Sequence, residues 1–228
     1  MIFTILISFF IGFTLPFIAS RFGKILPADP GTILVRLWHK PHFPKKNSPT
    51  YRKKLRRKWY KLIFYSVCWG IISALLNTGI AFFLPADTIV WANVFIYFVI
   101  LGIIIDQQFC LLPDFVTFPL LLIGFWAAYQ GHFLSIEDSL IGAVFGYSVS
   151  IIAVIVMTCF HQAVFGAGDV KMLTALGAWL GAYGLNLALL ISFVLFSGWS
   201  FIKRRGTGPF GPALGIAAVF SLFYLYYQ

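Results

Sequence analysis

The fold class is decided by uncharged apolar runs such as residues 88–105, which read TIVWANVFIYFVILGIII. A helix needs about 20 such residues to cross a bilayer, with a usual range of about 17–25. Seven more apolar runs, all uncharged except for Lys171 in the fifth, occupy residues 2–20, 62–84, 115–130, 139–160, 170–183, 185–202 and 209–227. Together they predict an all-α polytopic membrane protein with about eight transmembrane helices. Six or seven are the alternatives, because the runs at 115–130 and 170–183 are short.

The composition of the whole chain excludes most other classes of protein. Of its 228 residues, 60% are hydrophobic and 11% are charged, whereas soluble domains carry about 25% charged residues. A disordered chain, a coiled coil, a disulfide-rich secreted module and an ordinary cytosolic enzyme are therefore excluded.

The charge of the chain indicates its topology. Residues 21–61 contain 13 of the 17 Lys and Arg residues, and basic loops beside membrane spans face the cytoplasm and anionic lipid. We therefore expect contact with the bilayer and no nucleic-acid partner. Residues 1–61 are interpreted as a first span with a basic cytoplasmic loop, and residues 62–228 as the membrane core. Alternation of spans then places loops 106–114 and 161–169 on the cytoplasmic side.

Two aspartates at that side are candidates for catalysis. Asp106 follows one apolar run and Asp169 opens another, with two predicted spans between them. Two carboxylates in a partly dry site cannot both ionise, so they share a proton as in aspartic proteases. The alternative is that both aspartates are helix caps, or partners of Lys171 and the basic loop, since a carboxylate is favoured at a helix start. Gly166 and Gly168 would allow a tight turn beside an extended peptide, or form a plain loop before a helix.

Three motifs resemble those of the type IV prepilin peptidases. Residues 166–171, GAGDVK, are similar to the GxGD segment of that family. Residues 106–114, DQQFCLLPD, resemble its first aspartate motif, and residues 209–214, PFGPAL, resemble its PFGP segment. The order and separation of the three motifs also fit.

The resemblance implies an aspartic endopeptidase of the bacterial inner membrane, with its active site at the cytoplasmic face. Such enzymes remove the basic leader from type IV prepilins or type II secretion pseudopilins. The matching motifs make Asp106 and Asp169 the catalytic pair. Asp114 takes a supporting role, and Lys171 orients the loop or contacts phospholipid.

The first loop departs from the pattern of that family. Many members carry two CxxC pairs there and also N-methylate the new N-terminus with S-adenosylmethionine. Residues 21–61 contain no cysteine, so the thiolate ligands of a zinc site are missing and we expect no metal. Methylation stays open, and no S-adenosylmethionine-binding residue is predicted.

Two other functions compete with prepilin cleavage. The first is a non-enzymatic membrane assembly or transport protein whose aspartates bind a cation or relay protons. The second is a related GxGD peptidase acting on another substrate, such as a preflagellin-like protein. A cysteine mechanism through Cys110 has little support, because no histidine lies near it in sequence.

Overall fold

The computed structural model describes residues 2–22, 49–159, 166–203 and 209–226. They form seven helices, which we number in chain order: α1 Ile2–Phe22, α2 Pro49–Phe83, α3 Ala86–Phe109, α4 Asp114–Tyr129, α5 Ile136–Cys159, α6 Ala167–Lys203 and α7 Gly211–Tyr226. Five of these helices (α1, α2, α3, α5 and α6) contain a stretch long and apolar enough to cross a membrane, and α4 and α7 are shorter apolar helices. The prediction of an all-α polytopic membrane protein is confirmed.

The first compact unit of the chain comprises Met1–Gly79. Small polar side chains join α1 to α2, because the Ser73 hydroxyl donates to the Ser8 carbonyl at 2.7 Å. Small residues let helix backbones approach closely inside a membrane. The sequence predicted a loop over residues 21–61 and the start of the next apolar run at residue 62. In the structure the end of that loop and the run form one helix, since α2 begins at Pro49 and continues to Phe83.

The second unit comprises Ile80–Gln228 and contains both candidate aspartates. Its closest helix contact is between α5 and α6, where glycines without side chains let the two backbones touch. A Cβ atom placed on Gly177 would lie 2.6 Å from the carbonyl carbon of Gly142. The Ser139 hydroxyl also donates to the Ala178 carbonyl at 2.6 Å. This contact fixes α6, and with it Asp169, against α5. The predicted functional boundary after residue 61 differs from the division into compact units and stays a prediction.

Helix α6 reverses direction at Gly181, whose φ of 65° and ψ of 179° are not helical. A Cβ atom on Gly146 would lie 2.9 Å from both the Leu173 carbonyl carbon and Leu185 Cδ2. Twelve positions along a straight helix would separate Leu173 from Leu185 by about 18 Å, so the chain folds back between them. The predicted break between the runs 170–183 and 185–202 therefore lies at Gly181, a residue that tolerates positive φ.

The turn between α3 and α4 is shorter than the sequence predicted. Residues 106–114 were expected to form a loop, but α3 continues to Phe109 and α4 begins at Asp114. Cys110 ends α3 in the left-handed conformation, with φ 50° and ψ 38°, and its N–H donates to the Asp106 carbonyl. Asp106 therefore lies in the last turn of a helix, where the backbone holds it more firmly than a loop would.

Candidate active site

Asp106 is a buried carboxylate at the end of α3, with 5% of its surface exposed. Its Oδ2 atom accepts a hydrogen bond of 2.8 Å from the backbone N–H of Gly211, the first residue of α7. The first N–H groups of a helix lack partners within the helix and carry positive partial charge. The start of α7 therefore supplies the group that a buried carboxylate needs.

Asp169 lies in the first turn of α6 and is half-buried. Its carboxylate accepts a hydrogen bond from the backbone N–H of Gly166. In return, the Asp169 N–H donates to the Gly166 carbonyl at 2.9 Å. This reciprocal pair resembles the capping box, in which a side chain of the first turn bonds back to the residue before the helix. The prediction that Asp169 sits at a helix start is correct, and the capping role leaves its second oxygen available for chemistry.

The two aspartates are brought together from segments 63 positions apart. The negative charge of Asp106 acts on Asp169. Asp106 is on the last turn of α3 and Asp169 on the first turn of α6. Two like charges that act on each other in a partly buried place favour one shared proton. The arrangement can therefore supply one proton donor and one proton acceptor.

Gly168 brings the first aspartate motif against the second. A Cβ atom placed on Gly168 would lie 2.9 Å from both the Cβ and the carbonyl oxygen of Leu112. Leu112 belongs to the turn between α3 and α4 and is buried. Only a glycine permits this approach of backbone to backbone. Gly168 therefore serves packing, whereas Gly166 is exposed beside Asp169.

Asp114 and Lys171 form an ion pair next to the aspartates. The distance from Lys171 Nζ to Asp114 Oδ1 is 2.5 Å, and the side chains are 48% and 69% exposed respectively. Lys171 thus pairs with Asp114 in the structure. This exposed ion pair joins α4 to α6 near the buried contact between Gly168 and Leu112.

Gly211 and Leu112 are the residues of this site to which the sequence assigned no role. Gly211 belongs to the PFGP segment, which contributed to the family resemblance but did not indicate that Gly211 contacts Asp106. Leu112 is an apolar residue in an apolar chain, and it carries no sequence signal. Histidine is a common metal ligand, and three of the four histidines of the chain lie outside the described residues: His39, His42 and His161. Within the described ranges, no cluster of three or more His, Cys, Asp and Glu side chains could hold a metal ion.

Comparison with protein families places this site in a known group. The model of the type IV leader peptidase family matches residues 93–201, which include Asp106, Asp114, Asp169 and Lys171. No solved structure matches the chain.

Three curated relatives carry the name prepilin leader peptidase/N-methyltransferase. The protein of Escherichia coli (strain K12) is 32% identical over 204 residues, which cover 82% of this chain and 88% of that protein. The protein of Pectobacterium carotovorum subsp. carotovorum is 34% identical over 65% of this chain and 56% of its own length. The protein of Pseudomonas aeruginosa is 39% identical over 52% of this chain and 44% of its own length. The chain spans most of the first relative and about half of the other two.

Proposed function

The chain belongs to the type IV leader peptidase family, and we propose that it cleaves the leader from prepilin-type proteins with Asp106 and Asp169 as its catalytic pair. It is a multi-pass membrane protein of a peptidase family, and it covers 88% of the length of its E. coli relative. The observation that carries the proposal is that the two aspartate segments pack against each other where Gly168 contacts Leu112, with Asp106 buried and Asp169 half-buried. Family membership also favours the peptidase over the transport alternative.

The proposed chemistry needs only the two carboxylates and a water molecule. The ionised carboxylate removes a proton from water as its oxygen attacks the scissile carbonyl carbon. The protonated carboxylate gives its proton to the carbonyl oxygen, which produces a gem-diol. The diol then collapses: one hydroxyl proton returns to a carboxylate, the C–N bond breaks, and the leaving amine takes the other carboxyl proton. Such positioned acid–base catalysis contributes about 10²–10⁴-fold to a rate.

The exposed backbone beside Asp169 is the proposed place for the substrate. Gly166 and Ala167 are exposed and immediately precede the half-buried Asp169. An extended leader peptide lying across Gly166 would present its scissile carbonyl to both carboxylates. Gly166 has no side chain to obstruct this approach, while Gly168 is already covered by Leu112.

The orientation and the substrates follow from the charge pattern and the relatives. We propose that the aspartates face the cytoplasm across the bacterial inner membrane, because the basic residues would then lie on that side. Type IV prepilins are the expected substrates, and type II secretion pseudopilins are a second group to test. The prepilin part of this proposal is supported by the names of the relatives.

Methylation of the new N-terminus is a separate prediction. The relatives are named as N-methyltransferases as well as peptidases. The first loop, residues 21–61, lies largely outside the described residues. Transfer of a labelled methyl group from S-adenosylmethionine to cleaved pilin, measured with purified protein, would establish methylation. Cleavage without transfer would make this chain a peptidase alone.

Cleavage of a prepilin in membranes tests the peptidase proposal. Wild type, Asp106→Asn and Asp169→Asn are compared at equal expression. Asn keeps the shape of the side chain and can still accept the backbone hydrogen bond, so the fold is preserved while the shared proton is lost. The matched control is Asp87→Asn, the same substitution in the first turn of α3, where Asp87 is exposed.

We expect cleavage by the wild type and the control, and cleavage slower by about 10²–10⁴-fold in the two dyad variants. Full cleavage by either dyad variant would remove that residue from the mechanism. If the wild type cleaves preflagellin-like substrates but no prepilin, the related GxGD peptidase is the better assignment.

A further inference from the structure

The start of α7 and the end of α3 meet at the Asp106 carboxylate. The Gly211 N–H donates to Asp106 Oδ2 at 2.8 Å, and both residues are buried. A Cβ atom on Gly211 would lie 2.6 Å from that oxygen and 2.9 Å from the Asp106 Cβ. No carboxylate can stay in this position beside a larger residue, because contacts this short do not occur between non-bonded carbon and oxygen atoms.

We propose that Gly211 is a positioning residue for the catalytic pair. Its N–H fixes one oxygen of Asp106, and its missing side chain leaves room for the carboxylate against the helix. This inference rests on the proposed function, because it concerns the geometry of the same two aspartates. The role goes beyond those assigned to the two aspartate motifs, since Gly211 lies 105 positions from Asp106 along the chain.

Aromatic packing holds the start of α7 in place. The ring of Phe210 lies 5.6 Å from that of Phe196 on α6, in an edge-to-face arrangement. Aromatic pairs of this geometry stabilise their contact beyond simple burial. The segment that donates to Asp106 is therefore anchored to the part of α6 that follows the reversal at Gly181.

Gly215 offers a matched control one turn further along α7. It faces α3 as Gly211 does, and it too is buried. A Cβ atom there would lie 2.5 Å from Ile103 Cδ1 and 2.6 Å from Ile103 Cγ1. The three nearest atoms are apolar side-chain atoms of Ile103 and Val99, and none belongs to a carboxylate. The two glycine-to-alanine changes thus disturb the same helix contact, but one of them displaces Asp106.

The test compares Gly211→Ala with Gly215→Ala in prepilin cleavage by the purified full chain. We expect Gly211→Ala to lower kcat by about 100-fold with KM close to wild type, since a misplacement of about 1 Å can cost that much. Gly215→Ala should leave kcat and KM near wild type. Equal losses in the two variants, or a change in KM alone for Gly211→Ala, would overturn the positioning role.

Thermal unfolding provides a second measurement that does not depend on cleavage. Gly211→Ala is made in the wild type and in Asp106→Gly, where the carboxylate and the Cβ atom that it would strike are both gone. We expect it to lower the melting temperature in the wild type and much less in Asp106→Gly, because residues in contact are not additive. Gly215→Ala should have the same effect in both backgrounds.

Equal losses for Gly211→Ala in the two backgrounds would contradict the inference, even if the variant is inactive. Should the wild type fail to cleave any prepilin, the proposed function is wrong and the thermal measurement alone decides whether Gly211 positions Asp106.

Discussion

Two pairs of charged side chains link residues 106–114 to residues 166–171, and the two pairs differ in burial and in their hydrogen-bond partners. Asp106 and Asp169 are buried or half-buried, and each accepts a hydrogen bond from a backbone N–H. Asp114 and Lys171 come from the same motifs but form an exposed ion pair. A carboxylate held by the backbone away from water is prepared for proton transfer. An exposed ion pair has water and salt as competitors and contributes little energy.

The comparison separates chemistry from support within a few residues. Asp106 and Asp114 are eight positions apart in one motif, and Asp169 and Lys171 are two apart in the other. In each motif one side chain turns inward and one turns outward. The inward pair carries the proposed reaction, and the outward pair holds the two segments side by side.

The largest expected difference is between the inward and the outward aspartate. Asp169→Asn should lower kcat for prepilin cleavage by about 10²–10⁴-fold, because acid–base catalysis is lost. Asp114→Asn should lower it by about fivefold at most, since an exposed ion pair contributes about 1 kcal/mol or less. Initial rates in detergent at equal enzyme concentration measure both. A loss at Asp114 as large as that at Asp169 would erase the distinction between the two contacts.

The next effect concerns Gly168, which lets the two segments touch. Gly168→Ala would force Leu112 and its backbone away, because the added Cβ atom has no space. We expect kcat to fall by about 100-fold through misplacement of the aspartates. Gly198→Ala is the control, since nothing lies within 4 Å of a Cβ atom at that position on α6. Equal activity of Gly168→Ala and Gly198→Ala would show that the close contact between Gly168 and Leu112 is not needed for catalysis.

A smaller effect tests whether Asp114 and Lys171 act as one unit. Asp114→Asn and Lys171→Met each break the ion pair, and the double variant should be no slower than the slower single one. Groups in direct contact show such non-additivity. The conservative pair Asp114→Glu with Lys171→Arg should retain most of the activity. Additive losses in the double variant would show that the two side chains act separately, for example with Lys171 contacting phospholipid.

The smallest effect is the response to salt. Raising ionic strength from about 0.1 M to about 1 M shortens the screening length from about 10 Å to about 3 Å. The exposed ion pair should weaken, so kcat/KM of the wild type should fall slightly while Asp114→Asn responds less. The backbone hydrogen bonds of the aspartates are internal and should not respond. A steep salt dependence shared by both proteins would point to substrate binding by charge instead.

Some features of the site could be predicted because they are local. Asp169 opens a helix since it follows two glycines and precedes an apolar run, and the structure places it in the first turn of α6. The break between the runs 170–183 and 185–202 was also predicted, and the structure places it at Gly181. The end of the α3 run was predicted too early, at residue 105, because Asp106 and the two glutamines after it are polar and therefore interrupt an apolar run. The helix continues through them to Phe109, and a left-handed Cys110 ends it.

Other features depend on residues far apart in the chain. The sequence identified Asp114 and Lys171 as supporting residues, but it could not show that they pair with each other. Gly211 and Leu112 had no assigned role, because their importance comes from what they touch. A glycine that serves a turn and a glycine that admits a neighbouring backbone look the same in a sequence.

The sequence by itself determined that this chain is an all-α membrane protein with two aspartate motifs, because apolar runs and charged interruptions are properties of neighbouring residues. The tertiary structure alone decided which side chains meet. Helix packing places Gly211 against Asp106 and Leu112 against Gly168. It also buries one carboxylate while its neighbour in the motif stays exposed. Burial and distance between segments arise only when the helices pack, and these two quantities separate a carboxylate able to share a proton from one that only pairs with a lysine.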